Sequence, residues 1–129
     1  MTRILVIDDD GDVRTLICAQ LEAAGYAVSA ACDGAQGLAL QRSLPADLVV
    51  TDIFMPEKEG IETIVELREQ YPAVKIIAIS GGGRVRTPRR AFTAHELGVV
   101  ASQLGVEAVL YKPFEPRELL SCIESALRQ

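Results

Sequence analysis

Ile4-Leu5-Val6-Ile7-Asp8-Asp9-Asp10 runs four apolar residues straight into three acids. A short apolar run without polar alternation reads as a strand covered on both faces, and sheets covered on both faces are typically parallel. The period then changes. Val13, Leu16, Ile17 and Leu21 recur at i, i+3, i+4 and i+8, the spacing of one helix face. The same strand-then-helix couplet returns four times, with further strands predicted over 27–31, 48–51, 75–79 and 108–111. The helical periods between them are carried by Ile61, Ile64, Val65 and Leu67, and by Leu97, Val100, Ala101 and Leu104. Leu119, Leu120, Ile123 and Leu127 form the last helix, opened by Pro116 in its first turn. The weakest helix, over 35–43, has only Leu38 and Leu44 as large anchors.

Five alternations of strand and helix require a parallel sheet with helices on both faces, because each right-handed crossover returns across the sheet. The reading is a doubly wound α/β fold, one domain over 1–129. Gly25, Gly34 and Gly105 end helices or open turns, and Pro45 and Pro72 stand just before strands.

Composition narrows the function classes. The chain has 129 residues with 13 Lys plus Arg against 18 Asp plus Glu, a net charge of −5, and 5% aromatic residues. That balance argues against a nucleic-acid binder or a base-stacking platform. No apolar run reaches the roughly 18 residues of a membrane span, and Met1-Thr2-Arg3-Ile4 lacks a signal-peptide layout. Cys18, Cys32 and Cys122 cannot all pair and each sits in apolar sequence, so they read as small hydrophobes in a reducing, cytoplasmic setting.

One stretch interrupts the rhythm. After Ser80 the chain runs Gly-Gly-Gly-Arg-Val-Arg-Thr-Pro-Arg-Arg, placing Arg84, Arg86, Arg89 and Arg90 together with no acid before His95. Thr87-Pro88 has the form of a helix cap and first helical position, which predicts an exposed loop over 81–86.

In a doubly wound sheet, ligands bind beyond the carboxyl ends of the strands. Those ends carry Asp8, Asp9 and Asp10, then Asp52, then Ser80, then Lys112. Gathered carboxylates repel, and protonation or a hard divalent cation must compensate; an oxygen-only set suits Mg²⁺, which shares its shell readily with phosphate. A lysine and a hydroxyl nearby complete a phosphoryl site with a carboxylate nucleophile.

Ile4 to Asp10, then Asp47-Leu48-Val49-Val50-Thr51-Asp52-Ile53-Phe54-Met55-Pro56 with Gly60, then Ser80, then Lys112-Pro113-Phe114, resemble the receiver domains of two-component response regulators. The resemblance spans essentially the whole chain. It implies a (βα)5 flavodoxin-like fold, five parallel strands in the order 2-1-3-4-5. It also implies that Asp52 accepts a phosphoryl group from a histidine kinase, a phosphotransfer protein or a small phosphodonor. Asp9, Asp52 and the backbone carbonyl of Phe54 would bind Mg²⁺, with Asp8 acting through water. Lys112, held by a cis Lys112-Pro113 bond, would contact the phosphoryl oxygens, and Ser80 would bond the phosphorylated Asp52 to shift an inactive/active equilibrium.

The chain also departs from the pattern. The family usually has an aromatic switch residue three positions before the lysine, where this chain has Val109; Tyr111 lies two residues along on the same strand face and is not carried over as its replacement. The segment from Ser80 to Lys112 is about ten residues longer than the family norm. Phe54 and Gly82 hold positions that in the family govern attack of water on the phosphoaspartate, and neither can orient water by a side chain, so dephosphorylation is expected to be slow.

Blander readings stand beside these. Asp10 and Asp12 are read as helix caps and His95 as a solvated helix residue. The arginine run is either a solvated loop or a surface for anionic partners, which guanidinium forks suit. A switch with protein-binding output, on an unknown downstream target and with no DNA-binding module in this chain, is the first reading, either free-standing or cut from a longer protein. An adaptor that docks through the arginine segment regardless of phosphorylation is the second. A flavin carrier is disfavoured because Asp8 to Asp10 would repel the cofactor phosphate. A phosphatase is disfavoured because Phe54 stands where it would want an acid/base carboxylate.

Overall fold

The computed structural model describes residues 1–53, 60–80 and 99–129 in full, and the backbone elements alone over 84–86 and 91–98. The chain order is β1 (Arg3–Ile7), α1 (Gly11–Ala23), β2 (Ala27–Ala31), α2 (Gly34–Ser43), β3 (Leu48–Asp52), α3 (Gly60–Gln70) and β4 (Lys75–Ser80). Then follow β5 (Arg84–Arg86), β6 (Ala91–Thr93), α4 (Ala94–Gln103), β7 (Ala108–Tyr111) and α5 (Pro116–Leu127). Five strands pair in parallel in the order β2-β1-β3-β4-β7. With β7 as the fifth strand of this sheet, that is the doubly wound 2-1-3-4-5 order expected from the sequence.

Alternation along the strands sorts the apolar residues into two cores. Leu5, Ile7, Val49, Ile76 and Ala78 point toward α2, α3 and α4, meeting Leu38, Ile64, Leu67 and Ala101. Ile4, Val6, Val50, Ile77, Ile79 and Leu110 point the other way, onto Ile17 and Leu21 of α1 and Leu119 and Ile123 of α5.

Helix starts follow their side chains. Asp10 caps α1 by accepting the Asp12 and Val13 N–H groups at 3.0 and 3.2 Å. Asp33 caps α2 by accepting from Gln36 N, whose own Oε1 takes the Cys32 N–H at 2.6 Å. Gly25 and Gly105 end helices at φ of 97° and 82°, a region that disfavours any side chain.

Several expectations need correction. Leu16 is exposed: on the helical wheel it is turned about 100° from Ile17, off the stripe that Val13, Ile17 and Leu21 bury. Leu44 is likewise exposed just past α2, and Leu40 packs beside Leu38 instead. Val100 is exposed on α4. Cys32 is exposed beside Asp33 rather than packed in a core, whereas Cys18 and Cys122 are half-buried, and all three are free thiols.

The arginine-rich segment is the largest correction. Arg84–Arg86 is a strand, paired antiparallel with Ala91–Thr93 in a ribbon separate from the main sheet, and α4 begins at Ala94; the Thr87-Pro88 cap lies outside the described residues. Cross-strand pairing of Val85 with Phe92 gives both short segments a β register that a capping motif read alone does not reveal. Arg89 and Arg90 lie outside the described residues, and His95 falls within α4, of which the backbone is described there.

Candidate functional site

Parallel pairing brings the ends of β1, β3, β4 and β7 to one edge of the sheet. Asp52 closes β3 opposite Ile79, and Ser80 closes β4 opposite Tyr111. Continuing the alternation, Asp8, Asp52 and Lys112 emerge on the side that α1 and α5 cover. Ser80 belongs with Val109 and Tyr111 on the other side.

Carboxylate oxygens of Asp8, Asp9 and Asp52 all lie within 4.8 Å of one another. Asp8 and Asp52 are 1% and 4% exposed, so two of these charges sit almost out of water, while Asp9 is exposed. Lys112 faces both: its Nζ donates to Asp52 Oδ2 at 3.3 Å and lies 3.7 Å from Asp8 Oδ2. The Lys112 N–H donates to the Ser80 carbonyl at 2.9 Å, which anchors the lysine to the end of β4, and the Lys112-Pro113 bond is cis.

Charge is balanced unevenly. Asp8 Oδ1 accepts the Asp10 N–H at 2.9 Å, but Asp8 Oδ2 is buried without a hydrogen-bond partner. Burial pushes the Asp8 carboxyl above the usual range, against the pull of the Asp10 N–H and the Lys112 ammonium, with Asp9 and Asp10 adding to the rise. Burial alone would lower the lysine; Asp52 and Asp8 together outweigh it and hold Lys112 above the ordinary lysine value. Among the described residues the site is therefore a compact acidic trio with one ammonium at its side.

The surrounding backbone is tight. A Cβ on Gly60 would run into the Asp52 carbonyl and the Ile53 Cα, so α3 starts pressed on the main chain just after Asp52. Ser80 is fully buried, Val109 half-buried, and Tyr111 42% exposed at the strand end. Phe54, whose carbonyl the resemblance adds to the cation ligands, and Gly82 lie outside the described residues. Sequence reasoning missed Arg14, whose Nη1 donates to the Asp8 carbonyl at 2.7 Å; a lone arginine on a helix gives no signal that it turns back toward a strand end.

Three comparisons bear on this arrangement. Residues 4–124 match the Response regulator receiver domain family. The transcriptional regulatory protein CpxR of Klebsiella pneumoniae is 34% identical over 129 residues, which covers 100% of this chain and 50% of that protein. The chain thus spans about half the length of the curated relatives it matches. Among solved structures, the receiver domain of NtrX from Brucella abortus superposes with a TM-score of 0.86 at 29% identity, covering 98% of each chain. The chemotaxis protein CheY4 of Vibrio cholerae does so with a TM-score of 0.82 at 27% identity, again covering 98% of each. A family match over nearly the whole chain, on a five-stranded sheet that gathers its acids at one edge, makes this chain a member of the response regulator receiver domains of two-component signalling.

Proposed function

We propose that the chain is a phosphorylation-dependent switch in which Asp52 accepts a phosphoryl group, residues 1–129 acting as one receiver unit. The observation that carries this reading is the acidic trio, Asp8, Asp9 and Asp52, with Lys112 Nζ 3.3 Å from Asp52. In the transfer a carboxylate oxygen of Asp52 attacks phosphorus. The P–N bond of a phosphohistidine, or the P–O bond of an acyl phosphate, breaks with its electron pair going to the donor, and an acyl phosphate forms on Asp52. Lys112 stays an ammonium and moves from the carboxylate to the new phosphoryl oxygens. Ser80 supplies a hydroxyl to the phosphorylated Asp52, and its strand neighbours Val109 and Tyr111 lie where that bond is passed to the surface.

The residues fit Mg²⁺. The donor set is oxygen only, and the orphaned, buried Asp8 Oδ2 is the kind of atom a hard cation or its water satisfies. Asp8, Asp9 and Asp52, with the Phe54 carbonyl, would hold it. When bound, it neutralises the charge that three carboxylates and a phosphoryl group bring together. The donor is a histidine kinase, a phosphotransfer protein or a small phosphodonor. The product is a signal read by a protein partner in the cytoplasm rather than a turned-over substrate. Among the described residues no helix is long and apolar enough to cross a membrane.

Incubation with acetyl phosphate and Mg²⁺ is expected to add one phosphoryl mass, absent from Asp52→Asn and from samples with excess EDTA. The label is expected to persist for longer than minutes after the donor is removed. Labelling of Asp52→Asn equal to wild type would end this reading.

The separate β5–β6 ribbon favours a second reading, docking that does not depend on phosphorylation. Under it, changing Arg84, Arg86, Arg89 and Arg90 to Ala weakens binding of the kinase or downstream partner while acetyl phosphate labelling stays at the wild-type level. Unchanged affinity for the partner would retire it.

A further inference from the structure

We propose that Arg14 is a positioning residue for the acidic trio, fastening the first turn of α1 to the Asp8 main chain and so fixing how Asp8 and Asp9 present their carboxylates to a divalent cation. The inference rests on the cation-binding part of the proposed function. The turn from β1 into α1 is held by a short series of ties. The Asp8 N–H donates to the Ala31 carbonyl on β2 at 3.1 Å, and Asp8 Oδ1 takes the Asp10 N–H. Asp10 Oδ1 in turn caps α1. Arg14 closes the circuit, reaching from α1 back to the Asp8 carbonyl at 2.7 Å, with Asp9 inside the loop. Its guanidinium lies along the helix start, since a Cβ on Gly11 would sit 3.5 Å from Nη2.

The role is geometric rather than a matter of charge. Arg14 stands among Asp8, Asp9, Asp10 and Asp12 in sequence, yet its hydrogen bond goes to a carbonyl and among the described residues it forms no ion pair. The Asp8 carboxylate has Lys112 as its cationic neighbour instead. The two roles predict opposite signs. An arginine acting only through its charge repels a divalent cation, and removing it tightens binding. An arginine that orients the ligands loosens binding when lost, as residues that hold metal ligands from behind commonly do, by about 10-fold or more.

The test uses the whole chain. Mg²⁺ is titrated calorimetrically into wild type, Arg14→Met and Arg14→Lys at constant ionic strength, and acetyl phosphate labelling rates are measured across Mg²⁺ concentrations. Arg14→Met is expected to raise the Mg²⁺ Kd about 10-fold, with the labelling rate at saturating Mg²⁺ near wild type, and Arg14→Lys to recover part of the loss. Melting in EDTA checks that each variant is folded, and where Arg14→Met is not, Arg14→Gln carries the same comparison. Unchanged or tighter Mg²⁺ binding in the folded variant overturns the proposal. Wild type that neither binds Mg²⁺ nor labels at Asp52 overturns the cation site itself, a separate result.

Discussion

Among the described residues, two buried side-chain oxygens lack hydrogen-bond partners, Asp8 Oδ2 and Thr63 Oγ1, and their surroundings give them different meanings. Asp8 faces a lysine and two further carboxylates at the rim of the sheet. Thr63 is fully buried on α3 in the stretch that also buries Ile64 and Leu67. A buried hydroxyl without a partner costs about 1–3 kcal/mol, and valine has nearly the same shape without it. Thr63→Val is therefore expected to stabilise the protein by about 1 kcal/mol, read as a melting temperature about 4 °C higher. A lower melting temperature would show that the hydroxyl has a role in the fold.

At the scale of elements, one side chain joins a helix to two loops. Arg68 of α3 donates to the carbonyls of Val74 and Gly105 at 2.5 and 2.8 Å and pairs with Glu107 at 2.9 Å. Glu107 Oε2 in turn accepts the Ile76 N–H at 2.6 Å. The pair thus ties α3, the start of β4 and the turn before β7 at the edge opposite the acids. Because both side chains are largely buried and the bonds are charge-assisted, Arg68→Met is expected to cost about 2 kcal/mol in urea unfolding. A double-mutant cycle with Glu107→Gln should show strong coupling, since each single change strands the other partner. Additive effects would mean that the two act separately.

The elements that sequence reveals and those it hides differ for a physical reason. Residues 48–51 and 75–79 announce β3 and β4 because strands covered on both faces must be apolar throughout, and the structure extends each by one residue, to Asp52 and Ser80. α2 is faint in sequence because it packs through closeness rather than bulk. Gly37 lets it approach Ile7, and Gln41 bonds the Ala46 backbone in both directions, at 3.1 and 2.9 Å. The β5–β6 ribbon is invisible to periodicity, because three residues per strand show no alternation. At the site, Asp8, Asp9, Asp52 and Lys112 were legible because they close three strands of one sheet at once, whereas a lone acid at a strand end is commonly a helix cap, as Asp33 is. Arg14 was not, because its partner is a carbonyl that every residue has.

For the whole molecule, folding itself assembles the acidic trio, since its members come from two strands separated by more than forty residues of chain. A cation that binds only the assembled trio stabilises the folded state by RT ln(1 + [L]/Kd). At a Mg²⁺ concentration 100 times its Kd the gain is about 2.7 kcal/mol. The melting temperature is expected to climb with Mg²⁺ and to stop responding in Asp9→Asn. A melting curve of Asp9→Asn that still tracks Mg²⁺ would place the cation elsewhere.

The sheet also divides the molecule. Asp8, Asp52 and Lys112 rise from the layer that α1 and α5 enclose, and Ser80 and Tyr111 from the layer that faces α4. On the proposed function, an event on the carboxylates begins in one compartment, while the Ser80 hydroxyl that would answer it belongs to the other. The rim of β4, where the lysine's amide hangs on the serine's carbonyl, joins the two compartments, and under that reading it is the bridge by which phosphate on one side would be felt on the other.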